Sequence, residues 1–284
     1  MGMTTRLGID DVRPLISAGS VASKAVVGEV IPVTALVWRE GHDAVSATLS
    51  AWAARTAATS SVTMQVDPDD QDRVHGVFTP GTQGTWYFRV DAWSDPIATW
   101  KNAVTKKMAA GQSAAELAND LQHGAELFSR AALQTPSDVV EPLFAAARDL
   151  KDESLDVDKR VQVALSEEVA GILHSHPLRD LLVEGAIHEV YVERRAALYN
   201  SWYELFPRST GGWDKEGNPV HGTFDTTAKA LERVADMGFD TVYFPPIHPI
   251  GKVHRKGKNN SVVAEPGDVG SPWAIQDHST THPD

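Results

Sequence analysis

The 284-residue sequence contains no cysteine, which excludes disulfide bonds, thiolate metal sites and a cysteine nucleophile. No run approaches the ~18 uncharged apolar residues that a membrane span requires. The most apolar stretch, residues 26–38, is interrupted by Glu29 and Pro32. Residues 1–11 contain no apolar segment of the kind found in signal peptides. These absences predict a soluble, cytoplasmic protein.

Basic residues are also scarce. The 26 lysines and arginines are outnumbered by 38 aspartates and glutamates, giving a net charge of −12. A general nucleic-acid binder needs a broad basic surface to neutralise phosphates. We therefore expect neither a nucleic-acid nor a membrane partner. The sequence also lacks the GxxxxGK[ST], GxGxxG and GxSxG motifs, so it shows no nucleotide-binding loop and no nucleophile elbow.

Short apolar runs separated by turn-forming residues fill residues 1–103, a pattern typical of an antiparallel β-sandwich. Residues 85–93 alternate most clearly, and one face of that strand is predicted to carry Trp86, Phe88, Val90 and Ala92. Five tryptophans lie in this part of the chain: Trp38, Trp52, Trp86, Trp93 and Trp100. Large aromatic side chains usually fill cores and interfaces, which favours that role over a sugar-binding platform.

Helical periodicity dominates residues 104–196. Apolar residues recur at helical spacing over residues 117–132, 138–147, 161–172 and 187–199. His174 and His176 end the third stretch, but no further metal ligand is evident nearby, so a helix end is favoured and no metal is expected. The pattern predicts a helical domain used for packing or dimerisation.

A β-loop-α-β pattern begins near residue 197. Residues 201–206 and 240–244 have the composition of buried strands, and a helix is predicted from Thr223 to Gly238 between them. Two parallel strands joined by a helical crossover are the building block of α/β barrels and doubly wound sheets.

The loop after the second predicted strand carries four cations within seven residues: Lys252, Arg255, Lys256 and Lys258. The carboxyl ends of barrel strands form the functional face, where such a loop offers donors for phosphate or sugar oxygens. A solvated loop explains the same charges equally well. Arg208 and His248 also lie close after the two strands, where an architectural role is at least as consistent with the sequence as a catalytic one.

Seven segments, in order, resemble the α-1,4-glucan:maltose-1-phosphate maltosyltransferases of actinobacteria and relatives, in the α-amylase superfamily. They are residues 39–45 (REGHDAV), 176–181 (HPLRDL), 202–209 (WYELFPRS), 221–224 (HGTF), 242–251 (VYFPPIHPIG), 254–260 (HRKGKNN) and 272–275 (PWAI). The resemblance implies a multidomain chain: an N-terminal antiparallel β-sandwich (1–103), a helical insert or bundle (104–196), and the first β/α units of an incomplete (β/α)8 barrel (197–284).

The resemblance further implies an enzyme that moves maltosyl units from maltose 1-phosphate to the non-reducing end of an α-1,4-glucan. Phosphate is released, and the reaction is a retaining double displacement. It implies α-glucan biosynthesis, a homodimer formed through the N-terminal region, and no metal or organic cofactor.

No catalytic residue is assigned by the resemblance. The family's nucleophile and acid follow later strands of a barrel that needs about 250 residues, so we expect them beyond residue 284 and expect this chain alone to be inactive. Lys256 matches the family's maltose 1-phosphate contact, with Asn259 and Asn260 as supports. Two alternatives stay open: the N-terminal part of another α-amylase-superfamily enzyme such as a glucan-branching enzyme, and a non-catalytic glucan-binding or assembly module.

Overall fold

The structure, a computed structural model, describes residues 6–56 and 58–283. Residues 1–5, part of the stretch without a signal-type segment, lie outside the described residues, as do residues 57 and 284. The chain is a mixed α/β protein that divides into two compact units, Met1–Arg194 and Arg195–Asp284.

Ten strands of the first unit form two sheets. The strands are β1 (Leu7–Arg13), β2 (Ser23–Val26), β3 (Ile31–Arg39), β4 (Val45–Ala53), β5 (Thr59–Thr63), β6 (Gln65–Val66), β7 (Arg73–Phe78), β8 (Gly84–Ser94), β9 (Asp180–Glu184) and β10 (His188–Glu193). One sheet has the order β1-β3-β7-β6; the other has the order β2-β10-β8-β4-β5, with β9 also paired to β8. All pairs are antiparallel except β10 with β2.

The two sheets bury one hydrophobic core. Val33 and Val74 enter it from one sheet, and Leu49, Phe88 and Val90 from the other. Each is 0–1% exposed, and burying side chains of this size contributes about 1.5–3 kcal/mol apiece. The predicted face of the 85–93 strand is confirmed, because Phe88, Val90 and their alternate neighbours point into this core.

Five helices lie between β8 and β9 in the chain. They are α1 (Pro96–Ala109), α2 (Ala118–Ala132), α3 (Glu141–Lys151), α4 (Val157–Gln162) and α5 (Glu167–Ser175). Their apolar faces form a second core, in which Trp100 of α1 meets Phe128 of α2 edge-on with ring centroids 5.4 Å apart. Trp100 Nε1 donates to the Asp120 carbonyl oxygen at 2.7 Å, which fixes the indole orientation.

Two helix predictions in this region are wrong. Residues 187–199 contain the strand β10 instead of a helix, because Val190 and Val192 are buried in pairing with β8 and β2, 100 or more residues earlier in the chain. Residues 161–172 belong to two helices, since Ser166 caps α5 by accepting from the Val169 N–H.

The start of α1 was not foreseen, although Asp95-Pro96 is a helix-start signal. Proline suits the first helical position, and the Asp95 carboxylate accepts from the Ala98 N–H at 2.8 Å. Burial raises the pKa of Asp95 above its ordinary value, outweighing the backbone N–H bonds that lower it.

Asp95→Asn is expected to raise the free energy of unfolding at pH 7. The pKa of Asp95 is higher in the folded chain than in the unfolded chain. The free energy of unfolding therefore falls as the pH rises from the pKa of the unfolded chain to that of the folded chain. Asparagine keeps the capping oxygen and removes the charge. Urea unfolding at pH 7 and pH 3 checks this. The gain in the free energy of unfolding should vanish at pH 3. A variant that is no more stable than the unaltered protein at pH 7 would contradict the prediction.

The second unit contains a short parallel pair. β11 (Trp202–Glu204) pairs with β12 (Thr241–Tyr243), and α6 (Phe224–Asp236) lies between them in the chain. The predicted helix ends are confirmed: Thr223 and Thr226 form a reciprocal capping box, and Gly238 follows the helix at φ 83°. Among the described residues, no helix is long and apolar enough to cross a membrane.

Candidate functional site

A cavity of about 300 Å³ opens beyond the carboxyl ends of β11 and β12. Parallel strands bring their carboxyl ends to the same edge, so the segments that follow both strands contribute to one wall. Apolar lining comes from Phe206, Phe224, Pro245, Pro246 and Ile247. Polar lining comes from Arg208, His221, Thr223, His248 and His282. An apolar pocket with a few convergent polar groups is the general form of a small-molecule site.

Two histidines of this cavity have a defined tautomer. His221 Nδ1 lies 2.8 Å from the Gly222 carbonyl oxygen, and His248 Nδ1 lies 2.8 Å from the Thr280 carbonyl oxygen. A carbonyl only accepts, so each Nδ1 carries a proton and the neutral ring keeps Nε2 as an acceptor. Each Nε2 can then accept a hydrogen bond from a hydroxyl group, which suits a hydroxylated ligand.

The end of the described chain closes the cavity. The His282 N–H donates to the Ile247 carbonyl oxygen at 2.7 Å, and the His282 ring stacks on His221 with centroids 5.4 Å apart. Within the described ranges, no cluster of three or more His, Asp or Glu side chains is placed to hold a metal ion.

Asp240 belongs to the opposite end of the strands. Its carboxylate accepts from the N–H and the hydroxyl of Ser201 at 3.0 and 3.1 Å. These hydrogen bonds hold the pKa of Asp240 below its ordinary value. The residue therefore ties the beginnings of the two strands together and does not line the cavity.

Arg255 is the structural member of the basic loop. Its half-buried guanidinium donates to three carbonyl oxygens: Ile250 at 2.9 Å, Gly251 at 3.1 Å and Asp268 at 3.2 Å. These bonds join the beginning of the loop to a segment 13 residues further along the chain. The guanidinium of Arg255 therefore stabilises the loop itself through these backbone contacts.

Lys256 follows Arg255 directly and is exposed, as are Lys252 and Lys258. In the part of the chain that the structure describes, their ammonium groups make no hydrogen bond or ion pair. Lys256 does not line the cavity at the strand ends. Asn259 and Asn260 form an exposed turn with left-handed φ values of 51° and 60°, which asparagine tolerates better than most residues.

Sequence reasoning missed His221 and His282 as cavity residues and weighed Arg208 and His248 as architectural. His221 lies two residues before Thr223, the N-cap of α6. The predicted start of a helix after the loop that follows β11 could have indicated that His221 lies near the strand ends. No sequence signal indicated His282, because it reaches the cavity only through the backbone hydrogen bond to Ile247, 35 positions earlier in the chain.

Arg255→Met in the full-length protein is expected to loosen residues 250–270. Methionine fills similar space but donates no hydrogen bond, so three carbonyl oxygens lose their partner. Amide exchange of Gly257, whose N–H bonds to the Ser261 carbonyl oxygen, should accelerate by about 10-fold, the equivalent of one lost net hydrogen bond. The Gly238 amide at the end of α6 is the internal control, and equal exchange in both proteins would show that Arg255 does not hold the loop.

Comparison with known proteins gives consistent matches along this chain. Residues 5–194 match the family model of α-1,4-glucan:maltose-1-phosphate maltosyltransferase, domain N/S. Proteins bearing that enzyme name in Corynebacterium pseudotuberculosis and Corynebacterium glutamicum are 59% and 56% identical over 99% of this chain. The Mycolicibacterium smegmatis protein of the same name is 52% identical over 98% of it.

The chain spans 42–44% of the length of these relatives. The family model covers well over half of the chain, and the motif resemblance noted from the sequence is confirmed along its whole length. The chain belongs to the α-1,4-glucan:maltose-1-phosphate maltosyltransferase family.

Proposed function

We propose that this chain is the N-terminal part of a glycosyltransferase of α-glucan biosynthesis. The full-length enzyme moves maltosyl units from maltose 1-phosphate to the non-reducing end of an α-1,4-glucan and releases phosphate. Relatives carrying this enzyme's name match 99% of the chain, and that observation carries the proposal.

The proposed division of labour follows the elements. We assign residues 1–103 to a β-sandwich, residues 104–196 to a helical insert and residues 197–284 to the first β/α units of a (β/α)8 barrel. The first helix of the insert, α1, begins already at Pro96, and the strands β9 and β10 return from the insert to the sandwich. The parallel pair of β11 and β12 around α6 supports the last assignment, as does the cavity at the carboxyl ends of the strands.

The reaction is proposed as a retaining double displacement. A carboxylate attacks the anomeric carbon and displaces phosphate, which leaves a maltosyl unit covalently bound to the enzyme. A second carboxyl group, roughly 5 Å from the first, then takes the proton of the acceptor hydroxyl, whose oxygen attacks the anomeric carbon and releases the first carboxylate. We assign both groups to the part of the relatives that this chain does not span. Lys256 is proposed to bind the phosphate of maltose 1-phosphate, supported by Asn259 and Asn260, and its exposed, unused ammonium suits that role.

Phosphate release from maltose 1-phosphate plus a maltooligosaccharide tests the proposal. It is measured on this 284-residue chain and on the full-length protein. Release by the long form alone is expected. Release by neither would refute the maltosyltransferase assignment, and release by the short chain would refute the placement of the carboxylates.

The proposal includes a cytoplasmic homodimer that assembles through the N-terminal region. Sedimentation of the full-length protein should give the mass of two chains. A single-chain mass at micromolar concentration would remove the dimer from the proposal and leave the reaction untouched.

A further inference from the structure

Two of the motifs carrying the family resemblance have no part in the proposed reaction, yet they meet in the first unit. Arg39 and Asp43 come from residues 39–45, and Asp180 and Leu181 from residues 176–181. All four line a cavity of about 550 Å³, together with residues from the end of β8 and from α1 and α2. This volume lies within the ~300–1,000 Å³ typical of small-molecule sites. We call this cavity the sheet–helix groove.

The guanidinium of Arg39 is the most buried charge of the groove, its side chain being 9% exposed. Nη1 donates to Ser94 Oγ at 2.7 Å, and Nη2 pairs with Asp43 Oδ2 at 3.0 Å. The buried Nε has no acceptor among the described residues. Nε is also inaccessible to a water-sized molecule. Arg39 therefore shapes the groove by holding Ser94 and Asp43 in place, and not by contacting a ligand through Nε.

Acceptors face the same groove. Asp180 pairs with Arg130 through Oδ1 at 2.6 Å, and Asp43 meets Arg39 through Oδ2; in each, the other carboxylate oxygen has no partner among the described residues. Asp120 of α2 is held by Lys107 at 2.7 Å, and His123 lies one turn further along the same helix. Each of the three carboxylates is paired with a cation, namely Arg39, Lys107 or Arg130. The groove therefore carries no surplus charge that would attract a phosphate or a metal cation. Hydroxyl groups both donate and accept, so they satisfy this lining without adding charge.

Leu181 adds an unusual apolar contact at the groove. Its backbone is left-handed at φ 53°, and the residue is 57% exposed. A bulky residue rarely adopts this conformation, and such strain clusters at ligand sites. The exposed leucine offers a surface for the carbon-bound hydrogens of a ring.

We propose that the sheet–helix groove binds a neutral, polyhydroxylated ligand of one or two sugar rings. Hydroxyl groups would donate to the unpaired carboxylate oxygens of Asp43 and Asp180, with a ring packed against Leu181. The choice of an α-glucosyl sugar as the ligand rests on the proposed function; the hydroxyl chemistry rests on the groove alone.

The test is a titration of the ¹⁵N-labelled 284-residue chain with maltose and maltotriose, followed by amide shifts. Saturable shifts in residues 118–123 and 180–184 are expected. Asp180→Asn and His123→Ala should each weaken binding at least 10-fold. Asp158→Asn, an exposed carboxylate on α4 outside the groove, should leave it unchanged. Thermal unfolding confirms that each variant is folded.

The unaltered protein gives a readout that does not depend on the variants. Shifts at the groove with inorganic phosphate or Mg²⁺ but not with sugar would overturn the neutral-ligand assignment. No shift with 50 mM of either sugar, or shifts confined to residues 195–283, would overturn the site. If the full-length protein transfers maltosyl units but sugar causes no amide shifts at the groove, the groove proposal fails and the proposed function stands.

Discussion

Replacing Lys256 by alanine in the full-length protein is expected to lower kcat/KM for maltose 1-phosphate by about 10- to 100-fold. A charge-assisted hydrogen bond to a phosphate contributes about 1.5–3 kcal/mol, which corresponds to that range. The phosphate is charged before and after transfer begins, so the loss should appear mainly as a higher KM.

Lys252→Ala is the matched control for this change. Both lysines are exposed and lie four positions apart in the same loop, so both variants lose the same net charge. Only the Lys256 variant should change the KM for the donor, while the KM for the maltooligosaccharide acceptor stays constant. Lys256→Arg should recover part of the loss, because the charge remains while the geometry changes.

Equal effects of the Lys252 and Lys256 variants would contradict a specific contact. That result would mean that the loop attracts the donor only through its summed charge, an effect that disappears at high ionic strength. A kcat/KM for maltose 1-phosphate that is unchanged in the Lys256 variant would remove the residue from the proposed site.

The sequence predicts those parts of the fold that depend on neighbouring residues. The limits of α6 follow from Thr223 and Gly238, because a cap and a left-handed glycine act locally. The buried face of β8 follows from alternation around Phe88. By contrast, the sequence pattern of β10 predicts a helix. The segment forms a strand because β8 and β2, which are distant in the chain, supply its hydrogen-bond partners.

The same limit applies to the two cavities. Arg208 and His248 are visible in the sequence because they follow strands, and strand ends meet at one edge. Arg39 and Asp180 are separated by 141 positions in the chain, and no spacing rule connects them. Residues 176–181 approach residues 39–45 because β9 pairs with β8. In that pairing Asp180 lies opposite Ser94, and Ser94 accepts a hydrogen bond from Arg39.

Close contact between α1 and α2 gives the second large expected effect. Gly124→Ala should destabilise the first unit by about 3 kcal/mol, at the upper end of the cost of overpacking, and lower its melting temperature by roughly 10 °C. A Cβ at Gly124 would lie 2.5 Å from Cε2 and Cζ2 of Trp100. The indole cannot retreat, because it is 3% exposed, bonds to the Asp120 carbonyl oxygen and packs on Phe128.

Gly171→Ala in α5 is the control, because the same substitution there should have the opposite sign. A Cβ at Gly171 meets nothing within 4 Å, and alanine is favoured over glycine by about 1 kcal/mol in a helix. Circular dichroism melts of both variants therefore separate packing from helix propensity. If Gly124→Ala raised the melting temperature as Gly171→Ala should, helix propensity would outweigh packing, and α1 and α2 would have to separate readily. If it lowered the temperature as expected, the absent side chain at Gly124 is what allows Trp100 to join the two helices.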